Sequence, residues 1–150
     1  MIYRVQEFIT KRQLFSKEDV LLLAISGGPD SVCLFFILKE LGYKIEIAHC
    51  NFNLRSEESN NEEYFVIELA KKYNIPIYVK SFETQKYATK KKISIQMASR
   101  ELRYHWFEYL LEKNNLDFLI TAHHRDDNIE TFLINLIRGT GINGLSGIKP

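Results

Sequence analysis

The 150 residues set 20 Lys and Arg against 19 Asp and Glu, and 45% of them are hydrophobic, with only seven Gly and three Pro. Those proportions suit one globular core and exclude a disordered, collagen-like or low-complexity chain. A net charge of +1 removes any bulk attraction to nucleic acid or membrane, so a site for a polyanion has to be a local patch.

The first residues, 3 to 13, place Tyr3, Val5, Phe8 and Ile9 among charges, the pattern of a short amphipathic helix. This stretch has no export-signal core, and no apolar run in the chain is long enough for a bilayer, so a soluble cytoplasmic protein is expected. The continuous run from Val20 to Ile25 stops at Gly27-Gly28-Pro29 and reads as a strand buried on both faces. Ser31 to Leu41 is nearly all apolar and closes at Gly42, a crossover helix with a glycine stop. A second strand is expected over 44–49, ending at His49. A second helix follows from Ser59, which forms a capping box with Glu62, and a short third strand covers 75–79, with Pro76 at its start. Residues 82–93 carry Lys86, Lys90, Lys91 and Lys92 with few apolar anchors and read as a basic, mobile loop. A helix over 95–112 turns Ala98, Leu102, Trp106 and Leu110 inward and Gln96, Ser99, Arg100 and Arg103 into a polar stripe. A fourth strand covers 117–122. Ile129, Phe132, Leu133, Leu136 and Ile137 then follow at helical spacing. Four alternations of strand and helix predict an α/β fold, a parallel sheet with helices on both faces.

Ligands of such sheets bind at the carboxyl ends of the strands, which directs attention to residues 26–31, 49–55 and 123–130. Ser26-Gly27-Gly28-Pro29-Asp30-Ser31 joins a buried strand to a helix N-terminus, where backbone N–H groups and the helix dipole favour a phosphate. Taken alone, it serves equally as a strand-to-helix corner capped by Asp30 or Ser31. It is neither a Walker loop nor a dinucleotide fingerprint, because Gly-Lys-Ser/Thr and G-x-G-x-x-G are both missing. In His123-His124-Arg125-Asp126-Asp127-Asn128-Ile129-Glu130, Asp127 and Glu130 stand three apart on one helix flank and could hold magnesium or a substrate ammonium. Asp126 alone could be no more than a partner for the helix dipole. His49 fits a structural and a ligand-facing role equally. Arg55, Arg100 and Arg103 are open to surface pairing or to a phosphate. Cys33 and Cys50 lack C-x-x-C spacing and read as buried thiols.

The Ser26 to Ser31 segment resembles the PP-loop of the N-type ATP pyrophosphatases, which cleave ATP to AMP and pyrophosphate while adenylating a substrate. HCNFNLRSEE at 49–58, MASRELRYHWF at 97–107, AHHRDDNIETFLINLIRGTG at 122–141 and GLSG at 144–147 are similar to the N-terminal catalytic domain of the tRNA(Ile)-lysidine synthetase family. The resemblance covers nearly the whole chain. It implies a Rossmann-like parallel sheet of four to five strands, adenine nucleotide α-hydrolase-like, with the tRNA-binding C-terminal domains of the family outside these residues. It also implies a ligase that adenylates C2 of the wobble cytidine of an isoleucine tRNA with a CAU anticodon and lets free L-lysine displace AMP. ATP and Mg2+ are the small molecules implied, no membrane is, and a homodimer is compatible.

By the same resemblance Ser26, Gly27, Gly28, Pro29, Asp30 and Ser31, with His49, bind ATP, and Asp30 and Asp127 hold the metal. Asp30, Arg103, Asp127 and Glu130 are the catalytic set, while Arg55, Arg100, Asp126 and Arg138 face tRNA or substrate. One departure stands out: Phe52 occupies the place where the family usually has a second histidine. The competing readings are another PP-loop enzyme such as a tRNA thiolase, whose cysteine arrangement is missing here, and a non-catalytic nucleotide-binding domain.

Overall fold

The computed structural model describes residues 1–54, 56–124 and 132–138, with residues 56, 123, 124 and 132–138 described by backbone alone. Helix α1 (Ile2–Arg12) buries Val5 and Ile9, one turn apart, and ends where Gln13 turns left-handed. Strand β1 (Val20–Ala24) then enters the centre of the molecule. Leu21, Leu22 and Leu23 are all fully buried, which accounts for the unbroken apolar run. Their side chains alternate: Leu21 and Leu23 join the core on one face with Leu34, Phe35, Val66 and Ala70, and Leu22 joins the other with Trp106, Phe107 and Leu110. Each fully buried leucine contributes about 1.5–3 kcal/mol relative to exposure, so this one strand anchors both layers.

Helix α2 (Pro29–Glu40) starts with Pro29 in its first turn and Gly28 as N-cap. Strand β2 (Lys44–Asn51) follows, then α3 (Ser56–Tyr73) and β3 (Ile77–Ser81). Several boundaries differ from expectation, β3 among them, which covers Ile77–Ser81 and not 75–79 and so leaves Pro76 just ahead of the strand. Strand β2 runs two residues past His49, so that histidine lies within the strand. Helix α3 begins at Ser56, with Glu57 and Glu58 in its first turn favoured by the positive end of the helix dipole, which leaves Ser59 inside the helix and not at its cap.

The basic segment is not a loop. Helix α4 (Thr84–Lys91) forms there by burying Thr84 and Ala88, four residues apart, and by the Tyr87 hydroxyl donating to Glu101 at 2.9 Å. Helix α5 (Ile95–Asn114) follows, with Ser94 accepting from the Met97 N–H at 3.1 Å as its cap. Strand β4 (Phe118–His124) returns to the sheet.

The sheet order is β3-β2-β1-β4-β5, with the first four strands parallel. Where the helical spacing at 129–137 predicted another helix, β5 (Phe132–Arg138) pairs antiparallel with β4. Periodicity alone does not separate a short apolar run in a strand from one in a helix, and here the run completes the hydrogen bonding of the β4 edge. From β1 the chain proceeds to β2 and β3 on one side and crosses to β4 on the other, so the carboxyl ends of β1 and β4 flank the switch point. Among the described residues no helix is long and apolar enough to cross a membrane.

Candidate functional site

The backbone leaves β1 at Ile25, whose N–H donates to the Ala48 carbonyl at 3.0 Å, and turns sharply through Ser26 to Gly28. Gly27 has φ +97°, and a Cβ there would lie 3.1 Å from the Glu62 Cβ of α3, so both the backbone and the space demand glycine. The loop is pinned by its two hydroxyls. Ser31, 5% exposed, donates through Oγ to the Gly28 carbonyl at 3.0 Å and accepts from the Ser26 N–H at 3.3 Å, while the Gly28 N–H donates to Ser26 Oγ at 3.3 Å. Asp30 stands in the first turn of α2, close above this turn. The result is a rigid corner at a helix N-terminus, the physical basis of a phosphate site.

Strand β2 contributes to two faces at once. His49 and Asn51 point to the α3 side. His49 is 2% exposed and its Nδ1 lies 2.8 Å from the Ile25 carbonyl. A carbonyl only accepts, so Nδ1 carries the hydrogen; in the neutral ring Nε2 then presents a lone pair, and that atom is buried without a partner among the described residues. Asn51, also buried, donates to Glu63 at 2.8 Å and accepts from the Asn53 N–H at 3.0 Å, tying the strand end to α3. These residues line a cavity of about 260 Å³ whose wall also includes Cys50, Phe52, Glu58, Ser59 and Glu62.

On the α5 side lies a cavity of about 230 Å³ at the ends of β1, β2 and β4, bounded by Ser26, Ser31, Cys50, Phe52, Arg103 and Thr121 among others. The Arg103 guanidinium carbon stands 5.4 Å from the centre of the Phe52 ring, which stacks on Phe82 at 5.7 Å and 17°. Arg103 Nε is buried and has no hydrogen-bond partner among the described residues. Burial pushes the Cys50 thiol up to about 12, against the pull of the nearby Arg103 and Lys80 charges. A cation with an unused buried donor beside two serine hydroxyls is an arrangement that suits a phosphate-bearing ligand.

A family model described as a PP-loop domain matches residues 1–150. The chain belongs to the PP-loop domain family. It is similar to a protein named tRNA(Ile)-lysidine synthase from Bacteroides thetaiotaomicron, with 54% identity over 147 residues, covering 98% of this chain and 34% of that protein. Proteins of the same name from Parabacteroides distasonis and Porphyromonas gingivalis are 48% identical over 150 residues and 47% over 146, covering 100% and 97% of this chain and 34% and 32% of theirs. The chain thus spans about a third of the length of the curated relatives it matches.

Within this PP-loop domain Ser26, Ser31 and Arg103 meet at one cavity, which Gly27 to Asp30 do not line, and His49 reaches the start of the same turn from the opposite face of the sheet, through Ile25. Arg100, one turn before Arg103, lies exposed with its guanidinium carbon 5.1 Å from the Tyr104 ring centre. Arg138 lies in β5 opposite Phe118, at the amino end of β4, and its backbone is therefore at the sheet edge away from the PP-loop. Arg55, Asp126, Asp127 and Glu130 lie outside the described residues.

Sequence reasoning missed Cys50, Phe107 and Thr121 as cavity walls and took Phe52 only as a lost histidine. The usable signal was period two: Ala48, Cys50 and Phe52 share one face of the β2 end, opposite His49 and Asn51.

Proposed function

We propose that this PP-loop domain is the ATP-activating centre of a carbon–nitrogen ligase that forms lysidine at the wobble cytidine of an isoleucine tRNA with a CAU anticodon. The observation that carries the reading is Arg103 Nε, buried and without a partner among the described residues, in a cavity whose wall includes both PP-loop serines. The names of the relatives support the substrate, and the further tRNA-binding domains of such an enzyme would lie outside these 150 residues. A cytoplasmic location suits a tRNA substrate.

The chemistry runs in two displacements. Cytidine O2 attacks the α-phosphorus of ATP, the bond to the bridging oxygen breaks, and pyrophosphate leaves. The ε-amine of lysine then attacks C2, the C2–O bond breaks, AMP departs with that oxygen, and the ammonium proton is lost to an acceptor. The turn at 26–31 would fix the pyrophosphate through backbone N–H groups at the start of α2, and Arg103 would meet the charge that grows on it. At about 230 Å³ the cavity is smaller than the ~300–1,000 Å³ usual for a whole ligand, so part of ATP would rest over the open turn.

The donors nearest the turn are hard oxygens, the Asp30 carboxylate and the Ser26 and Ser31 hydroxyls, which suit Mg2+ shared with phosphates. Among the described residues no group of three His, Cys, Asp or Glu could hold a metal by itself. Asp30, together with Asp127, would hold the ion, which neutralises phosphate charge when bound. Asp126, Asp127 and Glu130 would divide the metal and the lysine ammonium between them. A thiolase reading is disfavoured by Cys50, because a thiol pushed up to about 12 is a poor sulfur nucleophile near neutral pH.

The test is incorporation of labelled lysine into isoleucine tRNA by the full-length protein with ATP and magnesium. Asp30→Ala and Asp127→Ala should each reduce incorporation and tRNA-dependent AMP release by at least ~100-fold, the scale of removing one preorganised charge from an active site. AMP formation that proceeds equally without tRNA, or wild-type turnover in both variants, refutes the assignment.

A further inference from the structure

Residues 80–103 carry seven Lys and Arg against two Glu, a net +5 within a chain whose total is +1, so the other 126 residues carry −4. The topology fixes where that charge lies. Strand β3 delivers the chain to the carboxyl edge of the sheet at Ser81, level with Asn51, and α5 has to begin near that edge to feed the parallel strand β4. Helix α4 is fastened there by Thr84 Oγ1 donating to the Phe52 carbonyl at 2.8 Å, and Asn53 Nδ2 donates to the Phe82 carbonyl at 3.2 Å. The basic segment therefore borders the cavity that holds Arg103.

Within α4, Thr84 and Ala88 face inward, which turns Lys86 and Lys90 to the opposite, exposed face. Lys86 pairs with Glu83 at 3.0 Å and Lys91 with Glu101 at 3.3 Å. Lys90 and Lys92 have no carboxylate partner among the described residues. Three consecutive lysines repel one another, and a surface evolved only for solvation would intersperse acids. The neighbouring site acts on one nucleotide of a polyanion in the reading above.

We propose that the exposed face of α4, with Lys86, Lys90 and Lys92, is a docking strip for the phosphate backbone flanking the reacting nucleotide. The strip adds RNA affinity and register while the cavity reads ATP. It rests on the tRNA reading of the site, and it places part of the RNA contact inside the catalytic domain itself.

The experiment uses the full-length protein and isoleucine tRNA. Lys86→Glu with Lys90→Glu should raise the KM for tRNA at least tenfold, with kcat and the KM values for ATP and lysine unchanged. The slope of log KM against log salt should fall by about two, roughly one for each phosphate that is no longer neutralised. Lys90→Gln with Lys92→Gln, which removes charge without introducing repulsion, should show the same direction with a smaller rise. Circular dichroism and melting temperature, unchanged in both, separate this from misfolding. A KM for tRNA within twofold of wild type in both variants overturns the strip while leaving the lysidine reading intact. A wild-type protein that incorporates no lysine overturns both.

Discussion

Gly27→Ala is the sharpest perturbation of the PP-loop, because two separate costs can be read from its surroundings and compared with a glycine that has only one of them. A methyl group at position 27 meets a φ of +97° and, at 3.1 Å and 3.3 Å, the Cβ and Cγ of Glu62. Gly42 also has positive φ, +74°, but a Cβ there has nothing within 4 Å. The backbone part costs about 1–2 kcal/mol at either position. The overlap with α3 adds about 1–2 kcal/mol at Gly27 alone, the lower part of the range for overpacking. Gly42→Ala should therefore lose about 1–2 kcal/mol and Gly27→Ala about 2–4 kcal/mol. With a urea slope near ~2 kcal/mol/M for a chain of this size, the midpoints should fall by about 0.5–1 M and 1–2 M. Urea unfolding followed by far-UV circular dichroism reads both, and unchanged slopes would show that the unfolded state is not involved. Equal midpoint shifts in the two variants would refute the claim that Glu62 crowds the turn. Below the transition, Gly27→Ala should also raise the KM for ATP, and Gly42→Ala should not.

Two further outcomes follow from the cavity walls. Phe52→Leu removes the ring under Arg103 and the stack on Phe82, interactions worth about 1–2 kcal/mol for a partly desolvated guanidinium. The full-length protein should lose about 5–30-fold in kcat/KM for ATP, and Phe52→Tyr should recover most of it; a Leu variant within twofold of wild type removes Phe52 as the support of Arg103. Cys50, pushed up to about 12 by burial, holds its proton at pH 8, so in a Cys33→Ala background its alkylation by iodoacetamide should be about a thousandfold slower than that of a free thiol of ordinary pKa. The rate should keep rising with pH well past 9, until the fold itself is lost; a plateau near pH 9 would contradict the burial argument.

Elements whose burial is one-sided or complete were legible in the sequence. The Val20 to Ile25 run, the glycine corner and the helix after it announced themselves because every residue there answers to one dominant constraint. Helix α4 did not, because its buried stripe is only Thr84 and Ala88, too small to register against four lysines. Strand β5 departs from the expected helix because a seven-residue segment with five apolar positions satisfies both periods. Of the candidate site residues, Ser26, Ser31 and Arg103, which the structure brings to one cavity, were legible from residue type and place. The division of β2 was not, since His49 had been placed at the strand end, where alternation has no further consequence. Phe52 was hidden for a different reason: judged against an expected histidine it looked like a loss, whereas its ring lies against Arg103 and Phe82.

The alternation along the end of β2 carries an evolutionary consequence. His49 and Asn51 are wired to Ile25 and Glu63, while Cys50 and Phe52, which also edge the cavity beside α3, line the space around Arg103. A single-residue insertion or deletion between Lys44 and His49 would exchange the two sets, sending imidazole toward the arginine and the aromatic ring toward the acidic helix. This strand is therefore locked in length, and its divergence has to proceed by substitution alone, since alternate residues face opposite sides of the sheet.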